Sequence, residues 1–250
     1  MTSLTPREAL SRVRIVLSNP SHPGNIGAAA RAMKTMCLSR LYLVRPKKFP
    51  DPDAVARAAG GGGVLARAVI CATLDEALSG TVFAAALSAR RRNLGPEHLQ
   101  ARDAAPLILE MAGSGDVALV FGNETAGLSN DEVQRCQRTV FIPANADYTS
   151  LNLGAAVQLL CYELRLAACA GRPPEATKTV PFSSPPADSD DLERFYAHLE
   201  RVMVSTGFLD PTQPKRLLPK IRRLYARAAL ERDEINILRG ILDAVEKNLP

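Results

Sequence analysis

Val117-Ala118-Leu119-Val120-Phe121 runs directly into Gly122-Asn123-Glu124-Thr125-Ala126-Gly127-Leu128. Five apolar residues in a row, β-branched and aromatic among them, predict a strand buried on both faces, and the glycine-bounded polar run predicts the loop at its end. Strands of the same kind are predicted at 13–17, 41–44, 68–71, 81–86 and 139–142. Helical patterns separate them at Asn25–Met36, Leu99–Met111 and Leu151–Ala170. This alternation predicts an α/β fold in which helices cover both faces of a parallel sheet. The sheet domain takes up residues 1–170.

Residues 171–188 change character: Gly171, Pro173, Pro174, Pro181, Pro185 and Pro186 crowd together with Ser and Thr, which predicts a Pro-rich linker. Residues 189–250 predict a small all-helical domain. Asp188 to Asp191 offer capping oxygens to a first helix, in which Leu192, Phe195, Tyr196, Leu199, Val202 and Met203 recur at helical spacing until Gly207. A second helix carries Leu217, Ile221, Leu224, Tyr225 and Ala228 on one face, and a third uses Ile235, Leu238, Leu242 and Val245.

The chain of 250 residues is 46% hydrophobic, enough for a sizeable core. No stretch reaches the roughly 20 apolar residues of a membrane-spanning helix, and the first eleven residues are polar, unlike a signal peptide. Five cysteines form no C-x-x-C pair, and His22, His98 and His198 lie far apart, so no disulfide framework and no metal are expected and the cytoplasm is the expected location. The net charge of +5 is uneven. Residues 1–50 hold nine basic groups and only Glu8 as an acid, a net of +8, which leaves −3 for the remainder. Such a basic segment suits a phosphate-bearing partner and equally suits a solvated surface.

In the second helix of the tail, Arg216, Lys220, Arg223 and Arg227 are spaced 4, 3 and 4, and no acid lies between Asp210 and Glu231. Stacked like charges destabilise a bare helix, so a polyanion is an economical partner; a solvated face is the other reading.

Three loops follow predicted strand ends, where open α/β sheets place their ligands. The first, 18–27, leads into a helix that Asn25 can cap and that carries Arg31 about one and a half turns in. The second is Gly122–Leu128. Leu128 stands where a P-loop needs Lys, and no G-x-G-x-x-G follows a strand, so nucleotide-phosphate cradling is disfavoured. The third, 145–154, places Ser150 and Asn152 at the start of a long apolar helix, with capping expected of Ser150 and Asn152 inside the first turn. No carboxylate pair or nucleophile triad stands out. Arg, Asn, Ser and Glu suit a reaction driven by positioning and electrostatics.

Asn25 to Met36, then Val120-Phe121-Gly122-Asn123-Glu124 with Gly127-Leu128, then Ile142-Pro143 with Ser150-Leu151-Asn152-Leu153 resemble, in order, the three motifs of the SpoU branch of the SPOUT RNA methyltransferases. The tail, with His198-Leu199-Glu200, Gly207-Phe208, Arg222-Arg223-Leu224 and residues 237–242, resembles the C-terminal extension of the TrmJ-type enzymes, which methylate a ribose 2′-hydroxyl at tRNA position 32. The resemblance implies a C-terminal trefoil knot in the α/β domain, S-adenosylmethionine as methyl donor with S-adenosylhomocysteine as product, tRNA as substrate, and a homodimer whose sites are completed across the interface. It places cofactor contacts on Leu87, Ser88, Ala89, Gly122, Glu124, Ile142, Ser150 and Leu151. Catalytic roles fall on Arg31, Ser150 and Asn152, and tRNA binding on Arg31 and on the tail's Arg216, Lys220, Arg223 and Arg227. One departure stands out. Where TrmJ-type enzymes usually read Gly-Thr-Ser-Ala-Arg, this chain has Ala86-Leu87-Ser88-Ala89-Arg90 and lacks the Thr hydroxyl. A ribosomal-RNA methyltransferase and a non-catalytic RNA-binding relative are the competing readings.

Overall fold

The computed structural model describes residues 4–90, 96–169 and 184–249. Its strands are β1 (Val13–Ser18), β2 (Arg40–Val44), β3 (Val69–Cys71), β4 (Thr81–Leu87), β5 (Glu97–Gln100), β6 (Asp116–Phe121) and β7 (Arg138–Phe141). They form one sheet in the order β3-β2-β1-β6-β4-β7-β5, and every pairing is parallel. The helices of this part are α1 (Pro6–Ser11), α2 (Pro23–Thr35), α3 (Pro52–Ala58), α4 (Gly62–Leu65), α5 (Leu74–Leu78), α6 (Ala101–Ala112), α7 (Asn130–Gln134) and α8 (Leu153–Cys169).

β1 is buried along its whole length, and its alternation assigns the two cores. Val13, Ile15 and Leu17 face a large core with Leu10, Ile26, Ile108 and Leu160, from α1, α2, α6 and α8. Val16 faces a smaller one with Leu78 and Val133, from α5 and α7. On that thinner side Arg14 is also buried. It donates to the Ala77 and Ser79 carbonyls at 3.1 and 2.7 Å and to Asp116 at 2.8 Å. Arg40 reaches the same carboxylate at 2.6 Å. Two of the nine basic groups of the first fifth are thus paired with one shared carboxylate, which cancels one unit of their charge.

The six predicted strands are present, each within a residue or two of its expected bounds. β5 is a correction. Residues 99–111 were expected to be one helix, yet Glu97-His98-Leu99-Gln100 pair along β7 and the helix begins at Ala101. The segment has no apolar run because it is a sheet edge. Tertiary contacts hold it: the His98 ring stacks on Phe141 with centroids 4.5 Å apart, and its Nδ1 lies 3.0 Å from the Thr139 hydroxyl.

Most of the expected linker, 171–183, falls outside the described residues. Its last residues belong to the tail. The Ala187 N–H donates to the Leu230 carbonyl at 2.9 Å, the Arg232 N–H donates to that of Pro185 at 2.9 Å, and Ala187 is buried. The tail has three helices, α9 (Ser189–Ser205), α10 (Leu217–Ala228) and α11 (Arg232–Lys247), around Phe195, Val202, Ile235 and Leu242. The Tyr225 ring meets Phe195 edge-on at 4.9 Å. Leu224 is a second correction: expected on the apolar face, it is 53% exposed, because it sits about 100° round the helix from Tyr225. The tail is clasped to the sheet domain through Glu193, which accepts from Arg222 at 2.6 and 2.8 Å and also from Arg135. Burial raises the Glu193 carboxyl, but the two guanidinium groups outweigh it and hold it below the usual carboxylate range.

α2 and α3 meet so closely that a Cβ on Gly27 would lie 2.2 Å from the Ala54 carbonyl oxygen. Gly27→Ala is therefore expected to force the helices apart and lower stability by about 1–3 kcal/mol, read as a reduced denaturation midpoint with an unchanged slope.

Candidate functional site

The carboxyl ends of β1, β6, β4 and β7 lie side by side at one edge of the sheet, because these four strands are neighbours and parallel. The loops leaving the last three enclose an open cleft of about 250 Å³. Each of the eight positions to which the resemblance gives a cofactor contact lines it: Leu87, Ser88, Ala89, Gly122, Glu124, Ile142, Ser150 and Leu151. Segments that are far apart in sequence meet there. The Ser88 N–H extends the β4–β7 ladder by donating to the Val140 carbonyl at 2.9 Å, which fixes the rim beside Ile142. The missing Thr hydroxyl of the β4 loop is replaced at position 87 by an apolar side chain in the cleft wall.

The 122–128 loop is shaped by Asn123, which the sequence analysis did not single out. Its side-chain oxygen accepts from the Thr125 and Ala126 N–H groups at 2.9 and 3.1 Å, and its amide donates to the Asn19 carbonyl at 2.8 Å. A Cβ on Gly122 would lie 2.2 Å from the Gly127 carbonyl carbon, so only glycine lets the loop close on itself. Asn at 123 with Gly at 127 was the readable signal for this turn.

Glu124 ties this loop to the first one. Its carboxylate accepts from the Ser21 N–H and hydroxyl at 2.9 and 2.7 Å, the His22 N–H at 3.1 Å and the Asn25 amide at 3.0 Å. Partial burial pushes the carboxyl up. The bonds from Asn25 and Ser21 outweigh it and bring it down to about 2. Both oxygens are engaged by the protein itself, so Glu124 lends the cleft a fixed negative charge.

Three local expectations are corrected. α2 starts at Pro23, with His22 at the cap position and no side-chain cap bond. Asn25, expected to cap, lies in the first turn and spends its side chain on Glu124 and on Asn152, whose amide donates to it at 2.9 Å. Asn152, expected inside the first turn of the last sheet-domain helix, precedes α8 and caps it, accepting from the Gly154 N–H at 2.9 Å. Ser150, expected to cap, is exposed at the cleft.

Arg31 is not among the cleft residues. With α2 beginning at Pro23 it stands more than two turns in, not one and a half. It is exposed, with no ion pair among the described residues. Asn152 lies beside the cleft, bonded to Asn25, without lining it. Arg216, Lys220, Arg223 and Arg227 are all exposed, the first just before α10 and the others along it. Arg222, on the same helix, is bonded to Glu193.

The SpoU rRNA Methylase family model matches residues 12–162, and the tRNA methyltransferase TrmJ C-terminal domain model matches residues 190–250. The chain is 50% identical over 244 residues to the tRNA (cytidine/uridine/adenosine-2′-O-)-methyltransferase TrmJ of Pseudomonas aeruginosa, covering 95% of each chain. It is 46% identical over 242 residues to the tRNA (cytidine/uridine-2′-O-)-methyltransferase TrmJ of Pectobacterium atrosepticum, covering 95% of this chain and 98% of the relative. The crystal structure of TrmJ from Z. mobilis superposes with a TM-score of 0.80 at 31% identity, over 93% of this chain and 98% of that one.

The Glu124 tether carries a pH signature. Its folded value is depressed, so its stabilisation is complete above the ordinary carboxylate value of 4.5 and is lost as pH falls toward about 2. Glu124→Gln is expected to be less stable than the parent at pH 7, with the gap closing between about pH 5 and pH 2 in denaturation measured across that range.

Proposed function

Since this chain belongs to the SpoU rRNA Methylase family, we propose that it is a TrmJ-type tRNA 2′-O-methyltransferase. It takes a methyl group from S-adenosylmethionine, releases S-adenosylhomocysteine, and modifies the ribose of nucleotide 32, a cytidine or uridine of the anticodon loop. The observation that carries this reading is the convergence of Gly122, Ile142, Ser150 and Leu151 on one cleft. The match of the tail to a tRNA methyltransferase domain supports tRNA over ribosomal RNA.

The residues present suit such a donor. Leu87, Leu128, Ile142 and Leu151 offer an apolar wall for a purine, and the glycine-tight 122–127 loop brings main chain to the cleft. The Glu124 carboxylate adds negative charge near a cationic ligand. When bound, S-adenosylmethionine supplies an electrophilic methyl on a sulfonium. The protein's part is to hold the ribose oxygen in line with it, which is worth up to about 7–11 kcal/mol in favourable intramolecular cases. An arginine, with a pKa above about 12, is a poor base at neutral pH. Arg31 therefore acts as the cation that binds the neighbouring phosphate and steadies the developing alkoxide. Ser150 positions the nucleotide or donor at the cleft mouth, and Asn152 holds the α8 start against Asn25.

Arg31 lies outside its own chain's cleft, which supports a homodimer in which the partner supplies it. Leu159, Tyr162 and Leu166, exposed along one side of α8, suit that contact. A trefoil knot is supported by the late insertion of β6 between β1 and β4 and by the 149–153 segment, which borders the same cleft as the 122–128 loop before α8 packs on α2. Residues 1–170 form the methyltransferase domain, 171–188 the linker and 189–250 the tRNA-binding extension. A cytoplasmic location follows from the substrate; among the described residues no helix is long and apolar enough to cross a membrane.

In a strain lacking this gene, ribose methylation at tRNA nucleotide 32 is expected to disappear and to return with the wild-type gene. Arg31→Ala should not restore it while binding S-adenosylmethionine with near wild-type affinity by calorimetry. Equal loss of both would contradict the role given to Arg31. Replacing Arg216, Lys220, Arg223 and Arg227 with Gln should weaken tRNA binding and flatten its dependence on log salt by up to about 0.9 per lost phosphate contact. An unchanged slope would place the tRNA elsewhere.

A further inference from the structure

His198 of α9 is 4% exposed, and among the described residues neither ring nitrogen has a hydrogen-bond partner. A buried imidazole with both nitrogens unmatched is costly and calls for an explanation. Its Nε2 points at two carboxylates of α11, at 3.6 Å from Asp243 Oδ1 and 3.4 Å from Glu246 Oε2. These separations are long for hydrogen bonds to a buried ring.

We propose that His198, Asp243 and Glu246 form a divalent metal site of the zinc(II) class that fastens α9 to α11. Tetrahedral zinc with bonds of about 2.0–2.1 Å needs donor atoms about 3.3–3.5 Å apart along each edge. Both Nε2-to-oxygen separations fall near that edge length, and all three donor atoms lie within 4.8 Å of one another. An imidazole with two carboxylates is a borderline-hard set that favours zinc and its first-row neighbours over magnesium or calcium. Asp243 is mostly exposed, and its one ion-pair contact among the described residues is His198, which leaves room for water or a further ligand at the open positions. Glu246 is already oriented. Its Oε1 accepts from Arg201 Nε at 2.8 Å, and its Oε2 faces the histidine, so Arg201 plays the part of an outer partner steering a ligand carboxylate. Besides the apolar contacts between them, α9 and α11 are joined near their ends by part-exposed ion pairs, Arg232 with Asp188 and Asp191 at one end and Arg201 with Glu246 at the other. Such pairs contribute little. A metal at the third contact would lock the two helices in register.

The site has no sequence signature, because its histidine and its acids are more than forty residues apart. Full-length protein stripped of metal by a chelator is titrated with zinc chloride by calorimetry, and retained metal is counted by elemental analysis after desalting. One zinc per chain at this site is expected, with a raised melting midpoint. Asp243→Asn, at an exposed position, should melt like the metal-free parent and bind zinc at least about tenfold more weakly. His198→Gln should lose the site as well. The exposed Cys37 and Cys169 are retained in every variant, so they cannot produce the difference. Equal zinc binding by the parent and Asp243→Asn, or no zinc retained by the parent, overturns the proposal.

Discussion

The chemistry of this chain depends on β6 lying between β1 and β4. Parallel strands deliver all their carboxyl ends to the same edge, so whichever strands are neighbours determine which loops can share a cleft. β1 is followed in the chain by β2 and β3 on one side and by β4 on the other, with a gap left between β1 and β4. β6 fills that gap some thirty residues later, and β7 then fills the place between β4 and β5. The loops at 87–90, 122–128 and 142–151 become adjacent only through those two insertions.

Adjacency alone would leave three loops of uncertain shape. The carboxylate of Glu124 gives them one, since it accepts bonds from Ser21, His22 and Asn25, and Asn25 in turn holds Asn152. The chain runs from the first motif through the second to the third by side-chain hydrogen bonds. The depressed carboxyl of Glu124 is the electrostatic record of that arrangement. Residues matched to a family as contact or catalytic positions can in this way be part of the frame that positions the others: Glu124, matched as a cofactor contact, and Asn152, matched as catalytic, both have this character.

The buried strands were legible because a strand covered on both faces must be apolar throughout, and Val117 to Phe121 leaves no alternative. β5 was not legible. Glu97-His98-Leu99-Gln100 is polar, and its conformation comes from pairing with β7 and from one ring stacked on Phe141. The helix starts were misread by two residues each, since Asn is a good cap wherever it stands. Whether Asn25 or Asn152 caps depends on which has a partner across the fold. Arg14 and Arg40 looked like surface charge because nothing near them in sequence reveals that Asp116 will lie beside both.

The sequence by itself determined the composition of each layer: apolar strands, amphipathic helices, glycines where the backbone turns tightly, a cation stripe on one helix of the tail. These follow from local periodicity and burial, which act within a few turns of chain. Tertiary structure alone decided which ends meet, which carboxylate holds which loop, that Arg31 stands away from its own cleft, and that His198 looks into two acids of another helix. Those outcomes rest on contacts between residues tens to more than a hundred positions apart, and a one-dimensional pattern has no means of encoding a distance across the fold.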